Sequence, residues 1–217
     1  MKLVDHTRES LIDYVVGQCA SLVPDGKSRL FRGAITQHVN EALERTHRCI
    51  NACAPWRPDQ FNYLHSSQYC IFLYYLANTI WRRTQDPFAP TRLFLMNKAL
   101  NGIDLFYEIE MPEAFYIGHS VGIVLAKATY GNHLVLYQNV NVGRHIADIP
   151  TIGDKVILYP GSSVVGSSVI GDGAVLSQGV KAINKAVPAG NIAFSGEAGE
   201  LVYKPAPKDL LNEYFRL

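Results

Sequence analysis

Apolar residues recur at helical spacing along the first hundred residues of the chain. The first such run begins at residue 11 and stops at the sequence PDG, residues 24–26, where proline and glycine interrupt a helix. Its apolar positions are Leu11, Ile12, Val15, Val16, Cys19 and Leu22. This spacing of three and four residues places them on one face, so the run predicts an amphipathic helix.

Two longer helices are predicted next. One extends from about residue 28 to residue 54 and is ended by Pro55 and Pro58. The other begins near Ser66 and Ser67, either of which can cap it, and runs to about Gln85. It contains the longest apolar run, YCIFLYYLANTIW, which is shorter than the roughly 20 residues needed to cross about 30 Å of hydrocarbon. We therefore expect a buried helix rather than a membrane span.

A fourth helix is predicted over residues 91–100. It is closed by the pair Asn101 and Gly102, which suits the left-handed conformation of a helix C-cap. The N-terminal part of the chain, residues 1–104, is thus predicted to be an all-helical domain.

A different period governs the second half of the chain. Cut every six residues from Ile152, the sequence reads IGDKVI, LYPGSS, VVGSSV, IGDGAV, LSQGVK. The first column is aliphatic, with Ile152, Leu158, Val164, Ile170 and Leu176. The fifth column is small or β-branched, with Val156, Ser162, Ser168, Ala174 and Val180. The same step of six appears upstream from Ile117 to Ile123 and from Leu136 to Val142, with a slip in register between them.

A repeat of six residues suits a parallel β-helix built from short strands and tight corners. The aliphatic column then points into a narrow core, and stacked coils pair one another's main chains. We expect this β-helix over residues 105–196, followed by a C-terminal extension, residues 197–217. The sequence KDLLNEYFRL in that extension predicts a short amphipathic helix.

Charge and cysteine content narrow the choice of partner and compartment. The chain has 20 lysines and arginines against 19 aspartates and glutamates, so no excess charge points to nucleic acid or an anionic membrane. A small molecule or another subunit is the expected partner. All four cysteines lie in the first third of the chain, and the N-terminus lacks the apolar core of a secretion signal. We therefore expect a reduced, cytoplasmic protein.

Three motifs accompany the repeats: GHSVGIV at residues 118–124, QNVNVGRH at residues 138–145 and VPAG at residues 187–190. Together they resemble the serine acetyltransferase family of left-handed β-helix acyltransferases, closely over residues 103–196 and more loosely over the helices. The resemblance implies an α+β protein with a helical N-terminal domain before a left-handed β-helix. It also implies direct acetyl transfer from acetyl-CoA to L-serine, without a metal.

The resemblance assigns the acceptor side of the site. In the family motif Asp-His-x-x-Gly-(Ile/Val)-Val the histidine is the general base, which places His119 in that role and Gly118 where the family has aspartate. Arg144 would hold the carboxylate of the acceptor and His145 would help to shape its pocket, although the longer glycine-rich loop and the proline of the family are missing here. The upstream acid of the family corresponds to Glu108 or Glu110.

The donor side is assigned in the same way. A transferring acetyl group needs a donor for its developing oxyanion, and the amides of Gly143 and Gly161 are candidates because glycine allows close approach. By resemblance, the pantetheine arm of acetyl-CoA would lie near Pro160, Gly161, Gln178 and Gly179, and Lys185 would meet a phosphate.

The family also implies an assembly. Its members form trimers with active sites between neighbouring β-helices, and in the serine enzymes the helical domain joins two trimers. A homotrimer, and beyond it a dimer of trimers, is therefore expected. The flexible tail of the family, which ends in isoleucine and docks on the next enzyme of cysteine synthesis, is not evident in this chain.

Other interpretations remain open. The same fold can acylate a different acceptor, such as a sugar or a biosynthetic intermediate, and a β-helix can also be a scaffold without activity. Three-histidine metal enzymes share the fold, but His119, His133 and His145 are spaced by 14 and 12 residues, whereas that family places two ligands close together. The group of His47, Cys49 and Cys53 lacks the second pair of ligands that zinc needs.

Overall fold

The structure is a computed structural model that describes residues 1–217. Its first part contains the helices α1 (Arg8–Leu22), α2 (Ser28–Ala52), α3 (Ser66–Thr84) and α4 (Phe88–Asn101). Two short strands, β1 (Lys2–Leu3) and β2 (Gln60–Phe61), pair in parallel beside them. None of the helices combines the length and the apolar character needed to cross a membrane.

Helix α3 is the centre of the helical part. Its residues from Ser67 to Ile80 are all buried, because α2 and α4 both pack against it. The ends of the helices follow the sequence with one exception. Gly102 adopts the left-handed conformation and closes α4 as predicted, but α3 is preceded by His65 without a side-chain cap. Ser66 and Ser67 are the first two residues inside α3, so the predicted serine cap is wrong.

The second part is the predicted left-handed parallel β-helix. Its strands are β3 (Asp104–Leu105), β4 (Phe115–Ile117), β5 (Val124–Leu125), β6 (Thr129–Tyr130), β7 (Leu134–Leu136), β8 (Asn141–Gly143), β9 (Thr151–Ile152), β10 (Ile157–Leu158), β11 (Ser163–Val165), β12 (Val169–Ile170), β13 (Val175–Leu176), β14 (Lys181–Ile183), β15 (Ala186–Val187), β16 (Asn191–Ser195) and β17 (Leu201–Pro205). The two columns read from the sequence are buried at every position, as expected for a narrow core.

The strands form three sheets, which are the faces of a triangular prism. Sheet one runs β4-β7-β10-β13-β16-β17, sheet two runs β3-β5-β8-β11-β14, and sheet three runs β6-β9-β12-β15. The chain turns from sheet one to sheet two at the first edge, which contains residues 118–123, 137–140, 159–162 and 177–180. It turns from sheet two to sheet three at the second edge, which contains residues 126–128, 144–150, 166–168 and 184–185.

A regular coil takes 18 residues, as the pairing of Ile152 with Ile170 and of Leu158 with Leu176 shows. The coil from Tyr130 to Ile152 is the longest, since these paired residues are 22 apart. Its additional residues form a loop at positions 144–149, where Ile146 has a positive φ of 55° and is 86% exposed. The slip noted in the sequence arises before this loop, because Ile117 pairs with Leu136, 19 residues further on.

The C-terminal residues differ from the prediction. After the antiparallel pair of β16 and β17, only Leu210–Glu213 form a single turn of 3-10 helix, so the predicted amphipathic helix is wrong. The helix cannot continue because the next main-chain groups pair with the end of α2. The amide of Ala54 donates to the Tyr214 carbonyl at 2.8 Å, and the amide of Arg216 donates to the Ala52 carbonyl at 2.8 Å. We call residues 206–217 the C-terminal strap.

The strap joins the two parts of the molecule. The guanidinium of Arg216 donates to the carbonyl oxygens of Asn51 and Cys53 at 2.8 and 2.7 Å, at the end of α2 where carbonyls lack partners within the helix. Phe215 is 1% exposed and belongs to one continuous apolar core that runs through the helices and the prism. The strap is therefore part of the folded core.

Replacing Phe215 should test this role. Phe215→Ala deletes a fully buried ring and should lower the free energy of unfolding by about 3–5 kcal/mol. Chemical denaturation measures the change. Leu217→Ala is the matched control, because Leu217 is two residues away and 61% exposed. Equal stabilities for both variants would show that the strap contributes nothing to the core.

Candidate active site

His119 lies on the first edge of the prism, two residues after β4. It is exposed, and neither ring nitrogen makes a hydrogen bond within the chain. The ring nearest to it belongs to Tyr137, on the next coil of the same edge, with 6.5 Å between the ring centroids. The imidazole is thus free to meet a substrate, and one aromatic ring lies near it.

Four of the residues predicted to contact acetyl-CoA lie on the same edge as His119. Pro160 and Gly161 occupy the coil after Tyr137, and Gln178 and Gly179 occupy the coil after that. The amide of Gly161 donates to the carbonyl of Gln138, and that of Gly179 to the carbonyl of Pro160, both at 3.0 Å. These bonds make the edge a straight path along the prism axis. They also engage the Gly161 amide, so it is not available as the oxyanion donor suggested by the sequence.

The other predicted residues lie on the second edge. Gly143 ends β8 there, followed at once by Arg144 and His145, both exposed. Lys185 lies two coils further along this edge, where its ammonium donates to the carbonyl of Gly199 at 2.6 Å and is 3.9 Å from the carboxylate of Glu200. A phosphate that bound Lys185 would therefore compete with the turn between β16 and β17.

The two candidate acids point in different directions. Glu108 shares a cavity of about 410 Å³ with Arg144, beside Phe106 and Val124 of sheet two. Glu110 instead lies toward the helices, where its carboxylate is 3.5 Å from the amide nitrogen of Asn78 and 3.7 Å from the guanidinium of Arg82. The geometry thus favours Glu108 as the acid of the site.

A single chain does not bring the base and these acceptor groups together. His119 lies at one edge of sheet two, whereas Arg144 and His145 lie at the opposite edge. His133 lies on the remaining edge, between β6 and β7, and its ring packs at 5.0 Å on Phe215. Burial lowers the pKa of His133, and Lys155 lowers it further. No three potential metal ligands converge, so the histidines do not form a metal centre within one chain.

The glycine before the base has a steric explanation. The backbone of Gly118 is not in the left-handed region, so its conformation would accept a side chain. A Cβ at this position would, however, lie 2.6 Å from Cε1 and 2.8 Å from Cδ1 of Tyr137. The Tyr137 ring therefore fills the space that the aspartate of the family motif would need.

Tyr137 is a site residue that the motifs did not reveal. Its ring is stacked on that of Tyr159 at 5.6 Å with an angle of 26° between the planes. A signal was present in the sequence, since Ile117-Gly118, Leu136-Tyr137 and Leu158-Tyr159 are equivalent pairs on successive coils. The glycine stands where the other two coils have tyrosine, which indicates that one ring covers it.

Curated serine acetyltransferases are similar to this chain in sequence. No protein-family model matches the chain. A serine acetyltransferase from Bacillus licheniformis is 25% identical over 124 residues, covering 53% of this chain and 55% of that protein. One from Helicobacter pylori is 23% identical over 144 residues, covering 62% of this chain and 81% of that protein. The chain thus spans about half the length of the Bacillus relatives that it matches.

Solved structures extend the comparison to the whole fold. Serine acetyltransferase from Vibrio cholerae O1 superposes with a TM-score of 0.73 at 18% identity, covering 96% of this chain and 85% of that one. Isoform 3 from Entamoeba histolytica, solved in complex with cysteine, gives a TM-score of 0.65 at 20% identity, with coverage of 90% and 73%. The resemblance to the serine acetyltransferase family is confirmed. At these identities the solved structures establish the shared fold.

The contact between Gly118 and Tyr137 can be tested by stability. Gly118→Ala should lower the free energy of unfolding by about 1–3 kcal/mol, because the methyl group overlaps the ring and forces it to move. In a Tyr137→Ala background the same substitution should cost much less, and the double-mutant cycle measures the difference. Gly143→Ala is the control, since its Cβ would meet nothing closer than 3.4 Å. An unchanged cost in both backgrounds would contradict the overlap.

Proposed function

We propose that this protein transfers an acetyl group from acetyl-CoA to the hydroxyl of a small acceptor, with L-serine as the first candidate. The observation that carries the proposal is the first edge of the prism. An exposed histidine at the base position of the family motif stands there, and the residues expected to contact the donor follow it along the same edge. Similarity to serine acetyltransferases in sequence and fold supports the same reaction.

The chemistry requires a base, a path for the donor and groups that hold the acceptor. His119 accepts the proton of the hydroxyl while the hydroxyl oxygen forms a bond to the thioester carbon. The carbon–sulfur bond then breaks, the ester is released, and the imidazolium returns its proton to the CoA thiolate. Because the four cysteines are buried, a direct transfer without an acyl-enzyme fits the structure.

On the acceptor side, Arg144 and Glu108 line one cavity, which Lys127 and Asp104 also line, so charges of both signs surround it. An α-amino acid carries a carboxylate and an ammonium, which these two side chains can bind respectively. His145, the neighbour of Arg144, would contribute to the wall of the pocket. This complementarity supports L-serine as the first acceptor to test.

The site is completed only by a second copy of the chain. Since His119 and Arg144 lie at opposite edges of sheet two, we place the acceptor between the first edge of one prism and the second edge of its neighbour, as in a closed trimer. Val124 and Ile183, on the outer face of sheet two, are 43% and 50% exposed and can pack in such an interface. The helical part would then be free to join two trimers.

The compartment follows from the cysteines. All four are free and buried, which suits a reducing environment, and we propose a cytoplasmic protein. The proposed reaction uses no metal and involves no nucleic acid or membrane.

One observation favours a second candidate function. The ring of Tyr137 lies beside His119, where the family motif would place a carboxylate. An aromatic wall also suits the apolar face of a sugar or of another biosynthetic intermediate, so acyl transfer to such an acceptor is the alternative. A third candidate, a scaffold without activity, predicts neither turnover nor acetyl-CoA binding.

The proposal is tested by following the release of CoA thiol with acetyl-CoA and a panel of acceptors. L-serine should be turned over, and His119→Ala should lower kcat by about 10² to 10⁴-fold because the general base is lost. His6→Ala is the control, since His6 precedes α1 and its ring bonds to the hydroxyl of Ser10. Turnover with sugars alone would favour the second candidate, and no turnover without acetyl-CoA binding would favour the scaffold.

The assignment of Glu108 is tested by comparing two isosteric variants. Glu108→Gln should raise the KM for L-serine by about tenfold or more, since a charge-assisted contact is lost. Glu110→Gln should leave it near the wild-type value, because Glu110 faces Asn78 and Arg82. The KM for acetyl-CoA should stay constant in both. The reverse ranking would show that Glu110 is the acid of the site.

A further inference from the structure

The C-terminal strap reaches the aromatic wall beside His119. The hydroxyl of Tyr214 lies 3.1 Å from that of Tyr137 and 3.5 Å from that of Tyr159, so the three phenols share hydrogen bonds. The ring of Tyr214 also packs on Tyr116 of β4, with centroids 5.5 Å apart. One residue of the strap thus contacts three successive coils of sheet one.

Tyr214 is itself held firmly. It is 6% exposed, and its carbonyl accepts the amide of Ala54. The two residues that follow Tyr214 are fixed by the burial of Phe215 and by the bonds of Arg216 to the end of α2. Burial raises the pKa of Tyr214, and the hydroxyls of Tyr137 and Tyr159 raise it further, so the Tyr214 hydroxyl stays protonated and can keep its hydrogen bonds.

Tyr137 has few other constraints at its tip. The ring lies against Gly118 and is stacked on Tyr159, and neither contact holds its hydroxyl. The hydrogen bond to Tyr214 holds the hydroxyl. Tyr137 is the only ring near the imidazole of His119. A movement of the strap would therefore reach the candidate base through Tyr214 and Tyr137.

We propose that Tyr137 is a positioning residue for His119 and that the C-terminal strap, through Tyr214, holds it in place. The strap then belongs to the active-site architecture of its own chain. The Tyr137 ring occupies the space beside the base where the family motif has a carboxylate and this chain has Gly118. This inference rests on the proposed acetyl transfer only for its kinetic consequence, because the contact itself can be observed without turnover.

The experiment removes single hydroxyl groups. Tyr214→Phe and Tyr137→Phe keep every ring but break the bond between them, and Tyr203→Phe is the control because its hydroxyl bonds to Ala186 on sheet three. The first readout is the imidazole carbon resonance of His119 in histidine-labelled protein, assigned by its loss in His119→Ala. It should shift in Tyr214→Phe and Tyr137→Phe and stay in place in Tyr203→Phe, because its ring-current environment depends on Tyr137.

The second readout is kinetic. In Tyr214→Phe and Tyr137→Phe, kcat should fall about tenfold while the KM for acetyl-CoA stays unchanged, since a displaced base affects the chemical step. The double variant should lose no more than Tyr214→Phe alone, because Tyr214→Phe already breaks the bond to Tyr137. Thermal unfolding checks that all variants are folded.

An unchanged His119 resonance in Tyr214→Phe would overturn the proposal, and so would a rise in kcat, which would make the strap an inhibitory element. If no acceptor is turned over by the wild-type protein, the proposed function fails, but the resonance of His119 still decides whether the strap positions it.

Discussion

Parallel main-chain pairing between successive coils is the constraint on which this structure depends. Residues 18 positions apart are held in register by ladders on three faces, so each column of the repeat becomes a straight line along the prism. The narrow core follows from this, because the columns that face inward must be aliphatic or small. The functional edges follow as well, since corner residues from successive coils are aligned in the same way. A path for a long substrate therefore arises from the repeat itself.

Much of the fold could be predicted from the sequence because the repeat is a local pattern. The aliphatic positions from Ile152 to Leu176 and the small positions from Val156 to Val180 determine which side chains are buried, and every one of them is. The helices were predictable for the same reason, as apolar spacing and Gly102 mark their faces and one end. The alignment of Pro160 and Gly161 with Gln178 and Gly179 then follows from counting along the period, whereas the position of His119 does not, because the 22-residue coil interrupts the count.

What could not be predicted depends on contacts between distant parts of the chain. The strap has the apolar spacing of a helix, but its main-chain groups bond to the end of α2, some 160 residues earlier in the chain. The sequence of the strap alone does not reveal these bonds. Only the course of the loop after β3 determines that Glu108 faces the cavity with Arg144 and that Glu110 faces the helices. Likewise, the absence of an acid at position 118 is explained only by Tyr137, whose ring occupies the space that a side chain there would need.

The overlap between Tyr137 and any side chain at position 118 also constrains how such a site can change in descent. A carboxylate at 118 and the Tyr137 ring in its present position cannot occupy the same volume, so a lineage that exchanges one arrangement for the other must either open the gap first or displace the ring. The path of lower cost keeps glycine at 118 for as long as the tyrosine is present at 137. Sterics thus favour one order of substitutions at these two positions, whichever acceptor selection favours.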